Sequence, residues 1–264
     1  MADPNSEVVK VLTTCTICYI ITTTTFIKCG LRPDQLKRNI RGELIIRLWA
    51  EERLMHEAAA LKFISEKTTI PVPKVIGCGR RAGVPYLELE RIDGIMFEDV
   101  GEICRMPHQA GHHPGEPCST CQQIATTNVE RFITDVVLPQ LSQLKSKTTG
   151  FNGFVIPPVW MLEYDRRPRW EPKTSETAEY IFVLGDLSAH NIMCDPVTLE
   201  VTYLYDLEHS GFFPPEFQRW TTNRPAYHEL FTNTDRIRKL ISLIEPEKGS
   251  SNCRLDETAA PGST

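Results

Sequence analysis

The stretch that most restricts this chain runs from Ile181 to Glu208. It reads as strand, loop, strand, turn, strand. The apolar run Ile181-Phe182-Val183-Leu184 leads into Gly185-Asp186, and the loop Leu187-Ser188-Ala189-His190 ends at Asn191. Val201 to Tyr205 then alternates apolar and polar residues, as a half-buried strand does, and Asp206 closes it. Asp186, Asn191 and Asp206 stand out against apolar surroundings. A lone Gly-Asp after a strand is usually a turn, and a lone Asp at a strand end is usually a cap. Both together, with Asn191 between them, argue for chemistry instead. One carboxylate can accept a proton from an attacking hydroxyl. An Asn oxygen and a second carboxylate are hard ligands that suit Mg²⁺. Phosphoryl transfer needs these parts, because its catalysis is mostly positioning and charge neutralisation.

The wording Gly185-Asp186-Leu187-Ser188-Ala189-His190-Asn191-Ile192, then Tyr205-Asp206-Leu207-Glu208-His209-Ser210-Gly211-Phe212-Phe213-Pro214-Pro215-Glu216-Phe217, resembles a known family. It is similar to the His-Gly-Asp-x-x-x-x-Asn motif of the aminoglycoside phosphotransferases, relatives of the protein kinases and choline kinases, and most similar to their fungal branch. The resemblance implies an α+β, two-lobed protein-kinase-like fold, with a small β-rich N-lobe and a larger, mainly helical C-lobe. It implies ATP between the lobes, Asp186 as catalytic base, Mg²⁺ on Asn191 and Asp206, and a small-molecule hydroxyl as acceptor. The motif's His is Leu184 here. In the family that His braces the catalytic loop rather than transferring the proton.

Composition sets outer bounds. A length of 264 residues accommodates one large domain or two lobes with ample core. A net charge of −5 argues against a nucleic-acid binder, which would present a basic face. Val11 to Ile27 is apolar, but its seven threonines make it too polar to span a membrane, and it is too short. Its Thr and Ile content favours strands. Nine cysteines follow no regular framework, and the N-terminus lacks the basic region of a signal peptide. The expectation is a reduced, cytoplasmic protein without membrane or nucleic-acid partners. The sequence says nothing of its oligomeric state.

Residues 8–29 read as two strands, leaving the first lobe one strand short. Lys28 closes this run, and the resemblance implies that it holds the α- and β-phosphates of ATP. No glycine precedes Gly30, so there is no Gly-rich phosphate loop; Thr13-Thr14 or Thr22 to Thr25 are the substitute donors. A short strand is expected at Leu44–Arg47. Trp49 to Ser65 reads as a helix with the stripe Leu54, Ala58, Leu61 and Ile64. Glu57 lies at the stripe's edge and needs a partner. That partner is Lys28, as in the kinase Lys–Glu pair, or else Arg53 at a solvated rim. The prolines of Ile70-Pro71-Val72-Pro73 force extended backbone, and Val84–Leu89 is the next strand. Glu90-Arg91-Ile92-Asp93-Gly94 resembles the family's lobe-connecting hinge, which implies adenine contacts from the backbone of Glu90 and Ile92.

Residues 97–123 hold Cys104, His108, His112, His113, Cys118 and Cys121. Cys118-Ser119-Thr120-Cys121 has zinc-knuckle spacing, and the alternative is a plain surface loop. Cys15 and Cys18 share that spacing but point to opposite faces if they lie on a strand. Ile124 to Lys147 reads as the longest helix, kinked or split at Pro139. Arg166-Arg167-Pro168-Arg169-Trp170 is a small basic cluster, either a phosphate contact or, more simply, a solvated loop. Pro214 to Phe217 opens a short helix, and Tyr227–Ile244 contains a last one. The expected organisation is a nucleotide-binding lobe over 1–91, a catalytic lobe over 92–244 and a disordered tail over 245–264. Two functions fit: an ATP-dependent small-molecule phosphotransferase, or a catalytically impaired relative that binds nucleotide or a partner. A protein kinase fits less well, because the motif reads Gly-Asp rather than Arg-Asp.

Overall fold

A computed structural model describes residues 6–106, 112–113 and 115–245. The N-terminal lobe is built on β1 (Val8–Thr13), β2 (Ile17–Thr22) and β3 (Thr25–Gly30), followed by helix α1 (Ala50–Lys67), β4 (Val75–Arg81) and β5 (Val84–Glu90). The five strands form one antiparallel sheet in the order β1-β2-β3-β5-β4. Residues 8–29 thus hold three strands, not two, and the lobe lacks none. The extra turn comes from threonine hydroxyls. Thr22 Oγ1 accepts from the Thr24 and Thr25 amides at 3.2 and 2.8 Å, reversing the chain without glycine or proline. The strand expected at Leu44–Arg47 does not form. A single bridge joins Arg38 to Leu44, while Arg47 turns inward to pair with Glu208.

Helix α1 organises the junction. Leu54, Ala58, Leu61 and Ile64 are all buried, as a 3.6-residue period requires. Arg53, His56 and Glu57 are buried as well. Phe63, one turn on, enters an aromatic cluster of the second lobe, 5.0 Å from Phe151 and 5.1 Å from Phe182.

The C-terminal lobe begins with β6 (Ile95–Met96) and a 3-10 turn, Phe97–Glu102. Helix α2 (Ser119–Phe132) passes through a π turn at Ile133–Val137 into α3 (Leu138–Gln143). The helix starts earlier than its apolar period suggests, and Pro139 does not split it. The wide π turn, with Leu138 N–H bonded back to Ile133, takes up the chain just where proline lacks a donor. After β7 (Lys145–Ser146), α4 (Val159–Tyr164) and β8 (Tyr180–Leu184) come β9 (Ile192–Cys194), β10 (Val201–Leu204) and β11 (Ser210–Phe213). Two small sheets result, β10-β9-β6 and β11-β8-β7. Pro215–Phe217 makes one 3-10 turn, and the last helical stretch is two helices, α5 (Arg224–Thr232) and α6 (Thr234–Ile244), with Asn233 capping α6. The tail beyond Glu245 lies outside the described residues. The architecture is α+β, with a β-rich N-terminal part and a helical C-terminal part. Among the described residues no helix is long and apolar enough to cross a membrane.

Phe182 is fully buried and meets Phe63, Phe151 and Phe212, so it joins the two lobes. Phe182→Ala should cost about 3–5 kcal/mol in urea unfolding. Phe154→Ala, at a partly exposed side chain, should cost far less. A Phe182→Ala loss no larger than that of Phe154→Ala would contradict this packing.

Candidate active site

The small sheets deliver the three polar residues to one place. Asp186 follows β8, Asn191 precedes β9 and Asp206 follows β10. All three line one small cavity, together with Leu184, Gly185, Tyr205 and His209. Gly185 is required there, since a Cβ would stand 2.3 Å from the His209 carbonyl oxygen. Asp206 has φ of +61°, a left-handed conformation uncommon outside glycine but tolerated by Asp.

The Asp186 loop is braced by its own side chains. Asn191 Nδ2 donates to the Asp186 backbone oxygen at 2.8 Å and to its carboxylate at 3.1 Å. Ser188 Oγ donates to the carboxylate at 3.3 Å, and His190 Nε2 lies 3.4 Å from it. The Asp186 hydrogen bond and charge raise the His190 pKa. Tyr205 donates from its hydroxyl to the His190 carbonyl at 2.6 Å. Tyr227 of α5 packs edge-on to the His190 ring at 4.9 Å. Burial, and then the Asp186 charge, raise the Tyr227 pKa. Leu184, at the motif His position, is buried in the apolar core and takes no part in this bracing.

Lys28 stands at the centre of the ion pairs. Its ammonium donates to both oxygens of Glu57, each at 2.8 Å, and to Asp206 Oδ1 at 2.8 Å. Three N–H donors meet three acceptors, which uses all that a lysine has. Burial works against the Lys28 charge, but Asp206 and Glu57 outweigh it and hold its pKa above the ordinary value. Burial pushes Glu57 up to about 7, with Lys28 opposing. For Asp206, burial is overcome by Lys28, which holds it down at about 2. Of the two partners open to Glu57, Lys28 is the one it meets; Arg53 turns elsewhere.

Arg53 belongs to a second buried network that the sequence reading did not find. Its guanidinium reaches Glu208 at 2.9 Å and contacts His209 Nε2. Arg47 also pairs with Glu208. His209 Nδ1 donates to the Pro157 carbonyl at 2.8 Å, and His56 Nε2 donates to the Ser210 carbonyl at 2.6 Å. These bonds fasten α1 to the turn that carries Asp206. Their only trace in the sequence is the position of Glu208 and His209 just after Asp206.

The proposed hinge and phosphate donors fare less simply. The Glu90 amide donates to Lys74 O at 2.9 Å, so it does not face a base. Among the described residues no turn or loop backbone hydrogen bond uses Ile92. In the β1–β2 turn, the Thr16 and Ile17 amides donate to Thr14 Oγ1 at 3.2 and 3.1 Å. Those amides are already satisfied and do not point outward to a phosphate. The Thr22–Thr25 hydroxyls bond one another at 2.8 Å. The basic loop is neutralised locally: Arg167 pairs with Asp165 and Glu245 and lies 4.1 Å over Trp170.

No protein-family profile matches the sequence, and no curated protein matches it. Solved structures do. An aminoglycoside-3'-phosphotransferase of type VIII is 17% identical over 80% of this chain and 74% of its own, with a TM-score of 0.45. An aminoglycoside 2'-phosphotransferase-IIIa in complex with GDP is 11% identical over 92% of this chain and 76% of its own, with a TM-score of 0.46. Aminoglycoside phosphotransferase APH(3'')-Id from Streptomyces rimosus is 15% identical over 90% and 83%, with a TM-score of 0.39. At such identities these are resemblances of fold and say nothing of substrate.

The buried histidines give the fold a pH dependence. Burial lowers the His56 pKa from 6.5 to about 4, and His209 moves in the same direction for the same reason. Below pH 6.5 the unfolded chain takes up a proton that the folded one refuses, so stability should hold above pH 6.5 and fall as pH drops towards 4. For His56 the loss is at most about 3 kcal/mol, at ~1.4 kcal/mol per pH unit. His56→Gln, which keeps a donor for Ser210, should flatten part of that slope in urea titrations at several pH values. An unchanged slope would show that His56 titrates normally.

Proposed function

We propose that this chain is a protein-kinase-like phosphotransferase that moves the γ-phosphoryl group of ATP to a hydroxyl of a small molecule. The observation that carries the reading is the convergence of Asp186, Asn191 and Asp206 on one cavity, with Asp206 tied directly to Lys28. Asp186, oriented by Asn191 and Ser188, accepts the proton of the attacking hydroxyl. Lys28, steadied by Glu57, neutralises phosphate charge. Ile92 offers backbone groups to the adenine edge, beside the committed amide of Glu90.

The residues present suit Mg²⁺. Asn191 uses its Nδ2 on Asp186, leaving its oxygen free, and Asp206 uses Oδ1 on Lys28, leaving Oδ2. Two hard oxygens from the protein, completed by water and phosphate, are what this ion takes. Bound there, it supplies charge neutralisation for the phosphates. The acceptor class, a small hydroxylated molecule, is proposed from the resemblance of the Asp186 loop wording. The likeness to the fungal branch rests on sequence wording, at residues 185–217 and also at residues 68–73 and 150–158.

One observation favours the second reading, a relative with weakened nucleotide binding. The β1–β2 turn spends its amides on Thr14 instead of presenting them to a ligand. Two measurements separate the readings. ATP with Mg²⁺ should raise the melting temperature of the native chain, since a ligand of the folded state stabilises it. Asp186→Asn should keep that shift while turnover, read as ADP release across a panel of hydroxyl acceptors, drops by at least ~100-fold. Undiminished turnover in Asp186→Asn would remove Asp186 from the chemistry. No melting shift and no turnover in the native chain would favour the second reading, a catalytically impaired relative that binds nucleotide weakly or binds a partner.

A further inference from the structure

By its spacing the cysteine-rich segment reads as a zinc knuckle or as a plain surface loop. The structure draws four of its side chains to a point. Cys104, which follows the Phe97–Glu102 turn, His112, and Cys118 and Cys121 at the start of α2 place their ligand atoms within 4.8 Å of one another. The three cysteines are buried and all are free thiols. His113 is not part of the group, and His108 lies outside the described residues.

Packing alone explains a buried cysteine, since a free thiol behaves as a small hydrophobe. It does not explain the imidazole. His112 Nδ1 lies 3.2 Å from Cys104 Sγ, 3.4 Å from Cys118 Sγ and 3.8 Å from Cys121 Sγ. One ring nitrogen has either one proton to give or one lone pair to offer, so hydrogen bonding accounts for only one of the three contacts. A tetrahedral centre accounts for all of them. With metal–sulfur and metal–nitrogen bonds of about 2.3 and 2.0 Å, the edges of such a tetrahedron are roughly 3.5–3.8 Å.

The surroundings suit thiolates. The Arg105 amide donates to Cys121 Sγ at 3.4 Å and the Cys121 amide to Cys118 Sγ at 3.5 Å. Cys118 caps helix α2, whose N-terminal dipole favours negative charge. Backbone bonds hold the donors in place: Cys104 N–H to Glu116 O at 2.8 Å, and Cys118 N–H to Gly101 O at 2.9 Å.

We infer that Cys104, His112, Cys118 and Cys121 form a structural zinc site, in the pattern Cys-x₇-His-x₅-Cys-x₂-Cys. Three thiolates and a neutral imidazole select a borderline-soft ion with tetrahedral preference, which points to Zn²⁺. Four protein ligands close the coordination sphere, so the ion is structural and not catalytic. Binding converts three thiols to thiolates and releases their protons. The site fastens the Phe97–Glu102 turn to α2, and that turn packs against the Ala189–Asn191 turn of the Asp186 loop. The ion therefore sets the backing of the candidate catalytic loop without touching it.

The test is metal content. The full chain, purified without chelator, should carry one zinc by elemental analysis. Cys118→Ser/Cys121→Ser should fall to background, while Cys15→Ser, at an exposed thiol outside the group, should keep its zinc. Should the double variant not fold, Co²⁺ exchanged into the native chain decides the matter. The predicted spectrum has thiolate-to-cobalt charge transfer and intense tetrahedral d–d bands. Zinc at background in the native chain, undiminished zinc in the double variant, or a cobalt spectrum without thiolate bands overturns the assignment. Because these readouts need neither nucleotide nor acceptor, they stand or fall apart from the proposed enzymatic activity.

Discussion

Three N–H bonds of one ammonium hold the two halves of this molecule in register. Lys28 comes from the first sheet, Glu57 from the helix behind it, and Asp206 from the second lobe. Two carboxylates around one buried cation form an arrangement in which each member depends on the others. Removing Lys28 leaves two carboxylates without their cation, a charge that burial penalises by several kcal/mol. Glu57 feels this most, being fully buried and pushed up to about 7 even with Lys28 beside it. The neighbouring carboxylate of Glu208 lies in the same cluster, and Arg47 and Arg53 offset it.

Helix α1 makes this possible because its period does two jobs. One stripe, Leu54, Ala58, Leu61 and Ile64, seals the sheet. A neighbouring stripe, Arg53, His56, Glu57 and Phe63, faces the second lobe. The first stripe contributes apolar burial and the second contributes direction. His56 and Arg53 grip the residues just after Asp206, and Phe63 enters the cluster around Phe182. The Asp206 turn, in a left-handed conformation, is thereby fixed from two sides. The Asp186 loop is fixed separately, by Asn191, Ser188 and Tyr205, so Leu184 can be an ordinary core residue.

What the sequence displayed was local. Asp186, Asn191 and Asp206 are legible because each ends or begins a short strand, and strand ends are marked by a change from apolar to polar. Glu57 is legible because it breaks an apolar stripe. What the sequence hid was non-local, or was done by unusual residues. Thr14 and Thr22 make turns where glycine, proline or asparagine would have announced them, so residues 8–29 read as two strands instead of three. The π turn at Ile133–Val137 leaves no period of its own. Arg53 and Glu208 lie far apart in the chain, and nothing in either neighbourhood names the other. Cys118 and Cys121 were visible as a pair, but the choice of Cys104 and His112 to join them needed three dimensions.

Lys28 and Asp206 act as one unit joining the first sheet to the second lobe. A double-mutant cycle measures this directly, with Lys28→Met, Asp206→Asn and the double variant compared by urea unfolding. The two single losses should be strongly non-additive, with a coupling energy of about 1–3 kcal/mol. Additive losses within about 0.3 kcal/mol would contradict this, since the two residues would then not depend on one another.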